Sequence, residues 1–115
     1  MTAQEDLEAE IIQDKLSREE LRKDQEAADL QALLGTRGGR AFNWRLLSQC
    51  GIYQSSLSEN IVEMAAKEGR RNVGLWVLNE VKIASMDALV TMEQEEKFAR
   101  EEEQRLEDAA RVGSI

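Results

Sequence analysis

Not one of the 115 residues is proline, while Ala, Glu, Leu, Lys and Arg recur in strong runs. Nothing in such a chain forces a helix to stop, and those five residue types rank highest in helix propensity. The fold expected is all-α. Aromatic residues are only 4 % of the chain and charged residues 33 %, so one domain with a modest core is expected, with part of the chain lying outside it.

The formal net charge of −8 is spread unevenly. Residues 1–34 carry ten acidic and four basic side chains, residues 35–82 four and seven, and residues 83–115 nine and four. The organisation read from this is an acidic N-terminal helical arm (1–35), a central helical motif region (36–83) and an acidic C-terminal helix (84–115). A short helix and a long central helix thus lie between acidic amphipathic arms. An acidic total argues against non-specific coating of nucleic acid, which needs clustered Lys and Arg to displace counterions. Absence of histidine and a single cysteine, Cys50, leave no metal-ligand set and no internal disulfide, and no cofactor is expected. Cys50 reads as a small buried hydrophobe. The N-terminus lacks a signal-peptide pattern and no apolar run is long enough for a membrane span, so a soluble, intracellular protein is expected.

In the first arm, residues 2–16 place Leu7, Ile11 and Ile12 on one weak stripe. Ser17-Arg18-Glu19-Glu20 has the form of a capping box, with Leu16 and Leu21 as its staple, so a new helix or a bend is expected at Ser17. Gly35 is a plausible C-cap. The stretch from Thr36 to Arg40, with Gly38 and Gly39 adjacent, reads as the clearest break in the chain. It lacks the spacing of a phosphate loop and reads better as a linker. Residues 41–49 follow as a short helix with Phe42, Leu46 and Cys50 in line and Trp44 on another face. Residues 53–57 are an extended connection, Ser58 or Asn60 caps a helix that runs from Ile61 to about Ile83, and Ser85 caps the last helix.

The candidate interaction residues are Arg40, Trp44, Gly69, Arg70, Arg71, Asn72, Gly74 and Trp76. Most lie in the stretch from Glu68 to Leu78, where two adjacent arginines, two glycines and a tryptophan share one helix in the only region that is not acidic. Gly69 and Gly74 each cost about 1 kcal/mol relative to Ala in a helix interior. Residues that unfavourable usually let another backbone come close. The reading preferred is a tight helix crossing at the glycines, with Arg70 or Arg71 reaching a carboxylate or carbonyl on the crossing segment. Binding of an external group by the arginines is the rival.

The segment from about Arg40 to Val81 resembles a family of small proteins of short-tailed bacteriophages. The residues that carry the likeness are Gly39-Arg40 leading to Trp44-Arg45-Leu46-Leu47, then Cys50-Gly51-Ile52-Tyr53-Gln54-Ser55-Ser56, then Glu68-Gly69-Arg70-Arg71-Asn72-Val73-Gly74-Leu75-Trp76 with Leu78. The resemblance implies a virion structural or assembly protein and does not imply an enzyme. The resemblance leaves the virion role open; the role favoured is an internal or portal-associated helical protein, held in the particle through the basic glycine-arginine middle segment and released with the genome, found in the host cytoplasm during assembly and then in the virion. Its expected partners are further copies of itself and portal or tail components. A scaffold or assembly chaperone that leaves before maturation is the close alternative.

Two other classes compete. Without histidine, and with no motif that pairs carboxylates, acid/base or nucleophilic machinery is hard to assemble, so no enzyme is expected. A small nucleic-acid-binding regulator is possible but not favoured. It would require Arg37, Arg40, Arg45, Lys67, Arg70 and Arg71 to share a face, with Trp44 or Tyr53 for stacking.

Overall fold

A computed structural model describes residues 2–113, which form four helices and, among the described residues, no strand. These are α1 (Ala3–Leu34), α2 (Arg37–Gln49), α3 (Ile61–Ala84) and α4 (Met86–Gly113). The all-α expectation holds.

Helix α1 opens on a capping box: the Glu5 amide donates to the Thr2 hydroxyl at 3.1 Å, and the Thr2 amide to the Glu5 carboxylate at 3.0 Å. It then runs 32 residues without a break. The box read at Ser17 starts nothing. Ser17 and Glu20 are tolerated in a helix interior, strong helix formers flank them, and residues 3–18 are all exposed, so no packing demands a bend there. Gly35 ends the helix as expected, donating its amide to the Gln31 and Ala32 carbonyls.

The break at the adjacent glycines is also displaced. Gly38 and Gly39 lie in the first turn of α2, which begins four residues earlier than the periodicity indicates. Thr36 does the turning: its hydroxyl accepts from the Gly39 amide at 3.0 Å and donates to the Leu33 carbonyl at 2.8 Å. A Cβ at Gly39 would run into that same carbonyl. The glycine lets α2 leave α1 through a very tight corner. This rotation selects Gly39, Asn43 and Leu47 as the buried stripe of α2. Of the neighbouring stripe, Leu46 and Cys50 are half-buried and Phe42 turns outward, 54 % exposed beneath the Arg45 guanidinium.

Asn60 caps α3 by accepting from the Val62 and Glu63 amides at 2.9 and 3.1 Å. The Ser85 hydroxyl accepts the Ala88 amide at 3.1 Å and starts α4 after one non-helical residue. The core gathers where the helices meet: Leu34, Val81, Ala88, Leu89 and Met92 are buried, with Leu30, Trp44, Val77, Leu78 and Ala84 packed around them. It is a small core in a long molecule. The chain measures 88 × 40 × 15 Å with a radius of gyration of 22.0 Å, against about 13 Å for a compact domain of this length. The first half of α1 and the end of α4 project from the packed region with their side chains in solvent.

Candidate functional site

Arg40 holds three helices together. Its Nε and Nη2 donate to the Glu95 carboxylate of α4 at 3.0 and 2.8 Å, and its Nη1 donates to the Leu34 carbonyl at the end of α1 at 3.0 Å. Bidentate geometry of this kind is specific to arginine. The hydrogen bond and charge of Arg40 hold the Glu95 carboxyl below the usual carboxylate range, and Glu95 in turn raises Arg40. The cross-element ion pair expected of Arg70 or Arg71 is therefore made by Arg40. Trp44, one turn further along α2, lies against the core, and its ring meets Tyr53 at 6.0 Å.

The two glycines of α3 separate. Gly74 is buried at a close crossing, where a Cβ would stand 2.5 Å from Cys50 Cβ and from Ile52 Cγ2. The crossing segment is the loop that leaves α2, turned at Gly51, whose φ is +68°. Ile52 is buried there, and Cys50, half-buried rather than sealed in a core, is a free thiol. Gly69 differs: it is exposed and nothing lies within 4 Å of a Cβ built on it. Among the described residues it has no crossing partner.

Between the loop and α3 lies a cleft of about 290 Å³. Gln54, Ser55 and Ser56 line one side, and Lys67, Arg70 and Arg71 line the other. The two sequence motifs thus face each other across it. Lys67 pairs with Glu63 at 2.9 Å, which lowers the Glu63 carboxyl, and Arg71 reaches Glu68 only at 4.0 Å. Arg70 is exposed and forms no hydrogen bond or ion pair among the described residues. Neither arginine contacts a carboxylate or carbonyl of the crossing loop.

The opposite face of α3 carries a feature that the sequence reading missed. Val62, Gly69, Trp76 and Ile83 recur at intervals of seven, flanked by Ala65 and Val73, and all six are exposed. Trp76 and Val62 are 62 % and 78 % exposed. A seven-residue apolar repeat is the pattern by which one helix seats against another. The signal was present in the spacing. Leu78 and Val81, which pack in the core, alternate with it along the same helix, so the apolar residues of α3 form two stripes rather than one. Asn72 lies beside the stripe, also exposed.

The basic residues divide into two groups rather than sharing a face. Arg37, Arg40 and Arg45 line a cleft with Glu95 and Glu96 of α4, while Lys67, Arg70 and Arg71 face the loop. No group of acidic, cysteine or histidine side chains suited to a metal ion occurs among the described residues, and no described helix is long and apolar enough to cross a membrane.

Compared with known families, residues 30–100 match the profile described as Bbp19-like phage protein. That span takes in the end of α1, all of α2 and α3, and α4 through Arg100, so it includes the Arg40 clamp, the cleft and the exposed stripe. No curated protein and no solved structure matches the chain.

Proposed function

The chain belongs to the Bbp19-like phage protein family, and from that premise we propose that it is a structural or assembly protein of the phage particle. We read it as an internal or portal-associated component, joined to copies of itself and to portal or tail proteins, and leaving with the genome. It performs no chemistry in this reading. The observation that carries it is the uncovered apolar stripe of α3, from Val62 through Trp76 to Ile83, within the family-matched span. An exposed apolar line of that length marks a surface shaped for a partner.

The glycine in the stripe fits the same reading. Gly69 weakens α3 and packs against nothing among the described residues, but it would let a partner helix approach closely beside Trp76. Acidic projecting arms with exposed Leu7, Ile11 and Leu16 on α1 and Phe98 and Leu106 on α4 supply further contact area.

A regulator that reads nucleic acid is less well supported. The six basic side chains it needs do not share a face: Arg37, Arg40 and Arg45 line a cleft with Glu95 and Glu96, while Lys67, Arg70 and Arg71 face the loop.

Native mass spectrometry and sedimentation of the purified protein, alone and mixed with portal or tail components, test the assembly reading. Self-assembly or a defined complex is expected, weakened at least tenfold by Trp76→Ala while the folded monomer persists. A wild-type monomer that joins none of these components would overturn it.

A further inference from the structure

The cleft between the loop and α3 gathers side chains that can donate hydrogen bonds. Gln49 at the end of α2, Gln54, Ser55 and Ser56 on the loop, and Lys67, Arg70 and Arg71 on α3 all line it, and none of its lining residues is a carboxylate. The spacing explains the convergence: positions 67, 70 and 71 fall on one helical face, the face that also carries buried Gly74. The opposite wall is held in place. Ile52 is buried against Gly74, Tyr53 meets Trp44, and the Gln54 amide closes a turn onto the Gly51 carbonyl at 3.1 Å. The Ser55 oxygen accepts the Leu57 amide at 3.1 Å, which leaves its hydroxyl hydrogen to donate elsewhere.

We propose that this cleft binds a single phosphate group, with Arg70 as its principal ligand and Arg71, Lys67 and the Ser55 and Ser56 hydroxyls completing the shell. The charges favour this occupant. Lys67 is already paired, the 4.0 Å contact of Arg71 with Glu68 is weak, and Arg70, whose charge acts on Glu63 only through space, forms no hydrogen bond or ion pair among the described residues. A tetrahedral oxyanion uses hydroxyl, amide and guanidinium donors from several directions at once, which a planar carboxylate does less well. The size agrees: about 290 Å³ sits at the bottom of the ~300–1,000 Å³ range of small-molecule sites, room for a phosphate and little of what carries it. The site is a property of the folded chain and stands independently of the role in the particle.

The test is thermal unfolding of the full chain in inorganic phosphate, acetate or chloride at matched ionic strength, repeated with a nucleoside 5′-monophosphate and with the bare nucleoside. Phosphate also stabilises proteins non-specifically by exclusion from their surface, so Arg70→Ala and the distant Arg22→Ala are measured alongside. At ten times the dissociation constant the folding equilibrium should shift about elevenfold, a rise in Tm of several degrees. The rise should be lost in Arg70→Ala and kept in Arg22→Ala. In parallel, backbone amide shifts on adding phosphate should be confined to residues 49–56 and 67–71, a readout that needs no variant. A larger effect of the nucleotide than of free phosphate would place the phosphate on a carrier, and an equal effect would identify the free ion. Equal shifts in wild type and Arg70→Ala, an equal effect of acetate, or amide shifts spread over the whole chain would each overturn the proposal.

Discussion

Arg40 donates to Glu95 through two nitrogens and to the Leu34 carbonyl through a third, so its loss unties α1, α2 and α4 together. Arg40→Lys keeps the charge but not the fork, and should lower Tm nearly as far as Arg40→Ala does. The pH dependence has a definite sign. Arg40 depresses the folded-state pKa of Glu95, so its contribution is full above the unfolded carboxyl value of about 4.3 and is lost as pH falls through the folded value. The Tm gap between wild type and Glu95→Gln should be present at pH 7 and close progressively below about pH 4; a gap that is constant down to pH 2 would mean the ion pair is not its source. The glycines of α3 make a paired prediction, checked by chemical denaturation. Gly74→Ala drives a methyl into Cys50 and Ile52 and should cost about 1–3 kcal/mol. Gly69→Ala meets open space and should stabilise the monomer by about 0.4–1 kcal/mol. Sequence alone could price both glycines but not separate them. Nor could it pair Arg40 with Glu95, 55 positions away, because no local spacing links residues so far apart.

The helices were legible wherever a cap and a period agreed. Asn60 and Gly35 stand where their side-chain or backbone chemistry places them, and Ser85 separates α3 from α4 by a single residue. They were illegible where two local signals competed. Ser17 and Glu20 have capping chemistry, but in an exposed helix nothing opposes simple continuation, and continuation prevailed. In α2 two adjacent stripes both contain apolar residues, and only the contact of Gly39 with α1 decides between them. Asn43 is buried because of that choice, its side-chain amide satisfied by the Gly39 carbonyl at 2.8 Å. The candidate site was partly legible in the same way: the motifs were visible, but their meeting across the cleft depends on how the loop folds back. Since residues 3–16 of α1 are all exposed, deleting residues 1–16 should leave a cooperative unfolding transition in the remainder while weakening assembly. Loss of cooperativity in that truncation would show that the first half of α1 supports the fold. Trp76→Ala, at a surface position, should change monomer stability by no more than about 0.5 kcal/mol while lowering the mass of the assembled species.

An 88 Å molecule only 15 Å thick in its shortest dimension leaves much of its apolar surface without cover. Seven apolar side chains are buried among the described residues, while others as large as Trp76, Phe98 and Leu106 remain more than half exposed. Such a chain gains most by associating, because burial of that surface is the main favourable term still unspent. The net charge of −8 opposes indiscriminate association and restricts it to defined faces. The chain belongs to a phage family, and the phage particle is where we propose that such association occurs. Quantitative mass spectrometry of purified mature virions, of particles emptied of their genome, and of immature proheads decides the matter. We predict the protein in virions at a fixed copy number and its loss from emptied particles. Detection in proheads alone would replace the internal role with that of a scaffold, and absence from all three would contradict a place in the particle altogether.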